Sequence, residues 1–345
     1  MRLIEPEAFF ETYAQYDLII DARSPSEFAT SHFPIAHNFF ALDDTQRHEV
    51  GCVYKQDSKF YAKVLGAGYI CANVSTHLAF IHAQVPPGGK IALYCARGGL
   101  RSASFGLILD QIGYRVDRIK HGYKGVRNVV VSLLENPTLP PFITLFGNTG
   151  CGKTELLHRL SPAIDLEGLA GHKGSVFGEQ TFIQPSTKMF QNLLACTLKR
   201  VEKEPFCFIE GESKRIGKLM LPSSLYQAMY QGEKIRITAP LEDRVARIKK
   251  EYKSIDAPFF YRALEKIARF ISKETKYTLG EAFDNGNLNF VITLLLTEYY
   301  DKIYKHHHET ITLENDATCT DKLLAIGRAK WAISMFTVSK KEALI

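Results

Sequence analysis

A cysteine, a glycine-rich turn and an arginine follow one another at Cys95-Ala96-Arg97-Gly98-Gly99-Leu100-Arg101-Ser102. About fifty residues on, Gly147-Asn148-Thr149-Gly150-Cys151-Gly152-Lys153-Thr154 satisfies the pattern G-x-x-x-x-G-K-S/T. The first run can present a nucleophile, and the second can grip phosphates. A chain holding both is expected to move a group onto, or off, something that bears phosphates.

The elements around the first run suit an anion. Lys90-Ile91-Ala92-Leu93-Tyr94 reads as a buried strand that ends on Cys95, and Ser102 to Ile112 reads as a helix stopped by Gly113. A loop between a strand end and a helix N-terminus collects backbone amides and the positive end of the helix dipole. A thiol is nucleophilic as the thiolate, and an unperturbed thiol ionises only near pH about 8.5. The helix terminus, Arg97 and Arg101 favour the anion, while Gly98 and Gly99 let the loop curl around it. These are the candidate catalytic and anion-binding residues of the first half.

In the second run, Gly147, Gly150, Gly152, Lys153 and Thr154 are the candidate phosphate ligands. Lys153 supplies charge, and Thr154 supplies a hydroxyl for Mg²⁺ or a phosphate oxygen. Phe142 to Phe146 reads as the strand before the loop, with a helix from Lys153 after it. Glu210 and Glu212 close the apolar strand Phe206 to Ile209, where an acid can hold a metal or a water. Three further places resist a purely structural reading. They are the glycine-punctuated Asp165 to Gly178 with His172 and Lys173, the run Glu210 to Gly217 with Arg215, and the pair Arg244 and Arg247. The last two share a helix face just after the strand Lys234 to Ala239, so they are candidate substrate contacts.

Stepping outward, 345 residues suffice for two domains with separate cores, and 46% hydrophobic with 23% charged residues is ordinary globular composition. Asp17 to Ala22 reads as a short buried strand. Ser24-Pro25-Ser26-Glu27 then opens a helix with a cap, a proline and a capping-box glutamate. Pro137, Pro140 and Pro141 mark residues 134–141 as a linker, leaving domains at 1–133 and 142–345. The helix Leu241 to Tyr252 follows the last of these strands, and from Phe259 to the end the pattern is helical.

Seven cysteines, none in C-x-x-C spacing, indicate a reducing cytoplasm rather than a disulfide scaffold or a zinc site. His306 to His308 read as a solvated helix end, so no protein-held metal is expected. Met1 to Ala14 carries Glu5, Glu7 and Glu11 without an apolar core, and Phe290 to Leu296 is too short for a bilayer; neither a secretory signal nor a membrane is expected. Of the 43 Lys+Arg and 37 Asp+Glu, residues 1–140 hold 14 and 13. The basic excess therefore sits beyond residue 140 and suits a polyanionic partner.

Asp21-Ala22-Arg23-Ser24-Pro25-Ser26-Glu27-Phe28 and His32 to Asn38 resemble the D-x-R-x-x-x-E-F…G-H-I-x-G-A-x-N pattern of rhodanese domains, with Cys95 at the place of their sulfur-carrying cysteine. One difference stands out. Arg101 lies six residues after Cys95, the C-x5-R spacing of dual-specificity phosphatases, where rhodaneses usually have five. The loop itself therefore leaves chalcogen transfer and phosphate-ester hydrolysis both open.

Taken together, the segments closely resemble the tRNA 2-selenouridine synthase family, a rhodanese/P-loop fusion. The carriers are Val50-Gly51-Cys52-Val53-Tyr54-Lys55-Gln56, the cysteine loop, His121-Gly122-Tyr123-Lys124, Gly147 to Thr154, Asp165 to Gly178, Glu212-Ser213 with Ile216-Gly217, and Leu296 to Asp301. The similarity runs in order from about residue 5 to about residue 305, and the seven-residue cysteine loop is typical of the family. Cys151 stands where a serine is usual, Glu210-Gly211-Glu212 replaces an acidic run, and the last forty residues diverge.

The resemblance implies an α/β chain: an N-terminal rhodanese-like domain, then a P-loop NTPase-like α/β domain with a helical C-terminal part. It implies replacement of sulfur by selenium at the 2-position of wobble 2-thiouridine in tRNA. Selenophosphate would be the donor, and geranyl diphosphate would geranylate the thio group on the way. Partners are then tRNA at its anticodon stem-loop and these two small substrates, with no tightly bound cofactor and Mg²⁺ as the candidate ion. A stand-alone sulfurtransferase or phosphatase, and a nucleotide-driven kinase or switch, are the alternatives the loops allow.

Overall fold

The computed structural model describes residues 1–173, 183–251, 256–304 and 309–342, with the backbone alone described at 251 and 333–342. Gly174 to Gly178, Tyr252 and His306 to His308 lie outside the described residues. The chain divides into two compact units, residues 1–136 with 186–196, and residues 137–185 with 197–345.

The first unit is built on a five-stranded parallel sheet. Its strands are β1 (Arg2–Ile4), β2 (Leu18–Asp21), β3 (His37–Asn38), β4 (Lys90–Tyr94) and β5 (Arg115–Ile119), in the order β1-β5-β4-β2-β3. The central strands β2 and β4 are buried almost throughout, as uninterrupted apolar runs in a parallel sheet must be. Their register sets Asp21 beside Tyr94 and so brings the segment that follows β2 next to the cysteine loop. Ser24 and Glu27 form the expected capping box at helix Pro25–Thr30.

Helix Lys59–Gln84 is long and apolar enough to cross a membrane by length and composition. Its buried positions Ala62, Gly66, Ile70, Val74 and Ile81 follow helical spacing, and Ile70, Val74 and Ile81 join the core beneath β2 and β4. Asn192 also belongs to this unit: its amide nitrogen donates to the His32 carbonyl at 2.6 Å and to the Tyr123 hydroxyl at 2.8 Å.

The second unit repeats the parallel plan with β6 (Phe142–Phe146), β7 (Ala163–Ile164), β8 (Cys207–Glu210), β11 (Glu233–Thr238) and β12 (Ile311–Glu314), ordered β12-β11-β6-β8-β7. A two-stranded antiparallel ribbon, β9 (Arg215–Ile216) with β10 (Leu219–Met220), stands apart from it. Ile143, Leu145, Phe208, Ile235 and Ile237 build the sheet core, and helices Ala257–Ile267, Lys273–Asp284 and Leu288–Leu295 form a separate helical core around Phe260 and Leu279. β12 departs from the helical reading of the C-terminal part. Ile311-Thr312-Leu313-Glu314 alternates with β-branched residues, and pairing parallel with β11 covers the edge that β11 would otherwise expose.

Candidate active site

Cys95 follows β4 directly and is 3% exposed. The loop after it ends at Gly99, the cap of helix Leu100–Ile112. A second turn locks it in place. The amides of Tyr123 and Lys124, opening helix Gly122–Glu135, donate to the carbonyls of Cys95 and Ala96 at 2.8 and 3.1 Å. Gly122 is required at that crossing: its φ is +55°, and a Cβ there would stand 2.1 Å from the Cys95 carbonyl oxygen. The segment His121 to Lys124 thus has a structural role as the second wall of the loop.

The carbonyls of Cys95 and Ala96 accept from this wall, while the loop's amides point to no partner among the described residues. Among the described residues the amides of Ala96, Arg97, Gly98 and Gly99 donate no hydrogen bond, leaving them available to an anion. Ser102 is fully buried, with Oγ 3.3 Å from the Cys95 sulfur and 3.1 Å from the Gly99 carbonyl oxygen. Arg97 is exposed. Arg101 donates from Nη1 to Glu27 Oε2 at 2.7 Å, and Arg47 reaches the same oxygen at 3.2 Å. Burial disfavours a charge on Glu27, but the hydrogen bond and charge of Arg101 outweigh it and hold the carboxyl below its usual range.

Asp21 and Arg23 do not reach the loop as reagents. Arg23 grips the buried Asp21 through Nε and Nη2 and stacks 3.8 Å from the centre of the Tyr123 ring. Asn38 donates to the carbonyls of Asp21 and Arg23. The D-x-R and terminal N of the rhodanese-like pattern are therefore braces behind the cysteine.

The second loop joins β6 to helix Lys153–Leu157. Gly152 takes φ +88°, and a Cβ there would lie 2.3 Å from Nδ2 of Asn315, which donates to the Cys151 carbonyl at 2.8 Å. Lys153 folds back so that Nζ donates to the Gly147 carbonyl at 2.8 Å. Burial works against its charge, but the Cys151 sulfur and the carboxylates of Glu212, Glu167 and Glu210 raise the ammonium above its ordinary value.

A cavity of about 870 Å³ opens over this loop. Of the predicted residues, Gly147, Gly150, Gly152, Lys153, Thr154, His172, Lys173, Glu212 and Arg247 line it. Arg247 also approaches Glu155 at 3.4 Å. Tyr299, Tyr300, Ile303 and Tyr304 give the same cavity an apolar flank.

Glu210, Arg215 and Arg244 are placed elsewhere. Glu210 is fully buried under the loop: Oε1 accepts from the Glu167 amide at 2.6 Å, and Oε2 has no partner among the described residues. Burial, then the charges of Glu167 and Glu212, push its carboxyl well above the usual range. Glu212 is pushed up mainly by burial, with Lys153 opposing. Arg215 is exposed on the β9–β10 ribbon and donates to the Gly217 carbonyl. Arg244 is a brace, with both terminal nitrogens on Asp301 at 2.9 and 2.7 Å and Nε on the Thr149 carbonyl. Asn148 donates to Asp301 as well, at 2.7 Å.

Sequence reasoning missed Asp301, Asn315, Ser102 and the tyrosine flank. The segment Leu296 to Asp301 stood out in sequence, and its structure explains why. A π-helical turn, Leu296–Tyr300, sets Tyr299 and Tyr300 against the cavity and delivers Asp301 to the loop.

A rhodanese-like unit with a seven-residue cysteine loop, followed by a P-loop-like α/β unit, defines a rhodanese/P-loop fusion protein. The family model described as the rhodanese-like domain matches residues 7–129, and that described as the tRNA 2-selenouridine synthase AAA domain matches residues 140–276. Three relatives named tRNA 2-selenouridine synthase align along the chain. That of Hydrogenovibrio crunogenus is 32% identical, covering 84% of this chain and 88% of the relative. That of Shewanella oneidensis is 32% identical over 89% and 90%. That of Chromohalobacter salexigens is 37% identical over 68% and 64%. The chain belongs to the tRNA 2-selenouridine synthase family.

Proposed function

We propose that this enzyme modifies tRNA by replacing sulfur with selenium at the 2-position of wobble 2-thiouridine, with selenophosphate as donor and S-geranylation from geranyl diphosphate as the activating step. The observation that carries the reading is the pair of loops: one frames a buried cysteine with free amides, the other a half-buried lysine on the wall of a cavity, in a chain of this family. Thiocarbonyl sulfur is a poor leaving group, whereas an S-alkylated sulfur departs as a thiol.

In the first step the thiocarbonyl sulfur attacks C1 of the geranyl group. The C–O bond to the diphosphate breaks, and the base loses its N3 proton. Lys153, the loop amides and Arg247 hold the departing diphosphate charge. Mg²⁺ suits this cavity in the manner usual for that ion, through one or two carboxylates, a hydroxyl and substrate phosphates; Glu212 and Thr154 would hold it and it would neutralise diphosphate charge. Among the described residues no group of three His, Cys, Asp or Glu side chains could hold a metal without such a substrate.

In the second step selenium adds at C2 and geranyl thiol leaves. Cys95 is the nucleophile that acts on the selenium donor, with Arg97, Arg101 and the cysteine-loop amides holding selenophosphate. The base must be splayed out of the anticodon to react, as single-stranded RNA is commonly read. The basic excess beyond residue 140 supports tRNA binding that weakens with salt. His172 and Lys173 on the cavity wall, and the exposed Arg215, are further candidate contacts. Mass spectrometry of wobble uridines from cells with and without this protein tests the reading. Selenouridine should disappear without it, and its persistence would refute the assignment.

A further inference from the structure

Electron bookkeeping limits what Cys95 can do with selenophosphate. Selenium in that donor is at the selenide level. Forming a cysteine S–Se bond from it would need a two-electron oxidant or would reduce phosphorus, and the reaction supplies neither. A redox-neutral step is open to a thiolate in this loop, namely attack on phosphorus.

The geometry favours that step. The loop spans Cys95 to Arg101, and the amides of Ala96 to Gly99 are unspent among the described residues. Gly122 permits the close crossing, and the amides of Tyr123 and Lys124 hold the carbonyls of Cys95 and Ala96, so the start of the loop is fixed without a ligand. Glu27 holds Arg101 beside it. A tetrahedral oxyanion seated here gives its oxygens to the amides and Arg101. Its central atom then faces the sulfur at the base of the loop, and its fourth substituent points outward as the leaving group. With selenophosphate the central atom is phosphorus and the fourth substituent is selenium.

We infer that Cys95 is a phosphoryl acceptor, which frees selenide by breaking a phosphorus–selenium bond. The inference rests on the selenophosphate reading above. The Cys95 thiolate forms an S–P bond as the P–Se bond breaks, and selenium leaves with the electron pair and takes a proton from solvent. Water then attacks phosphorus, the S–P bond breaks, and phosphate and the thiolate are released. No atom changes oxidation state. Ser102 Oγ, 3.3 Å from the sulfur, donates a hydrogen bond to the thiolate whenever that charge is present, and so assists the second step, in which the thiolate leaves, above all. The ligand class is a phosphoryl group bonded to selenium: free selenophosphate, whose P–Se cleavage releases hydrogen selenide, or a selenophosphoryl adduct on the base, whose P–Se cleavage leaves the selenium on C2.

The test mixes the full-length protein with selenophosphate carrying labelled phosphorus, quenches it in time course, and assays the Cys95 peptide separately for phosphorus and selenium. One arm holds selenophosphate alone, and the other adds geranyl diphosphate and a thiolated anticodon stem-loop. Phosphorus on Cys95 without selenium is expected. Ser102→Ala should slow its loss on the order of tenfold, the weight of one hydrogen bond to a charged group, and Ser102→Thr should restore it. Label in the first arm identifies free selenophosphate as the source; label only in the second identifies the adduct.

Selenium on Cys95 without phosphorus overturns the inference. So does a wild-type protein that makes selenouridine while neither it nor Ser102→Ala ever carries phosphorus on Cys95; the functional reading then still stands. Phosphorus on Cys95 in a protein that makes no selenouridine leaves the inference and removes that reading. Absence of both results removes both.

Discussion

Glu27 Oε2 lies 2.7 Å from Nη1 of Arg101, so the carboxylate that caps the helix after β2 also sets the arginine of the cysteine loop. One side chain couples a helix terminus to the cysteine loop. Glu27→Gln keeps the shape and removes the charge. It should lower the rate of selenation about tenfold, the cost of weakening one charged hydrogen bond, and leave geranylation unchanged. The depressed Glu27 carboxyl contributes stability that is complete above the usual carboxylate range and is lost as pH falls through its lowered value. Acid unfolding of Glu27→Gln, followed by circular dichroism, should therefore lack that part of the wild-type decline.

The two loops should separate by mutation. Cys95→Ala should abolish selenation while S-geranylated tRNA accumulates. Lys153→Ala should lower geranylation first, by about a hundredfold, the scale of losing a preorganised charge at a leaving group. Chromatography of digested tRNA reads both products. Normal selenation by Cys95→Ala, or normal geranyl transfer by Lys153→Ala, would contradict the division of labour.

Asp301 gathers Arg244 and Asn148 at the phosphate loop. Asp301→Ala leaves the buried Arg244 without its carboxylate. Fully buried pairs cost more, but Asp301 is partly exposed, so a loss of about 2 kcal/mol is expected in urea denaturation. The KM for geranyl diphosphate should rise in the same variant, because the Thr149 carbonyl loses a fixed partner.

Glu210 titrates with the opposite sign to Glu27. Its carboxyl is raised, so the folded state binds that proton more tightly than the unfolded chain. Stability from this group is present below the ordinary glutamate range and falls as pH rises towards the raised value. Glu210→Gln preserves an acceptor for the Glu167 amide and removes the proton. Its melting temperature should depend less on pH than wild type from the ordinary carboxylate range upwards. An unchanged pH slope would show that Glu210 is not the buried acid responsible.

Both loops and the sheets that carry them were legible because each lies within one strand–turn–helix passage, where apolar runs, glycines and caps are close in sequence. Their braces were not. Asn148 and Asp301 are 153 residues apart, and Glu27 and Arg101 are 74 apart, so neither pairing leaves a local pattern. Arg244 read as a candidate substrate contact from its helical spacing to Arg247. Only the fold shows the first turned into Asp301 and the second lining the cavity. Glu210 read as an acid at an open strand end. The register Leu145 opposite Glu210, with the Glu167 amide above it, buries the carboxylate instead. β12 was hidden because four residues of alternation beside long helical runs carry little weight until β11 offers an edge.

Asn315, on the turn after β12, holds the Cys151 carbonyl from 164 residues away. During synthesis the chain emerges from its N-terminus. The partners that pin the cysteine loop, Glu27, Tyr123 and Lys124, are all translated by residue 124. The second loop waits for Asn315. A ribosome stalled anywhere before Asn315 therefore carries a nascent protein whose G-x-x-x-x-G-K-T loop still lacks this brace, although the loop itself left the ribosome long before.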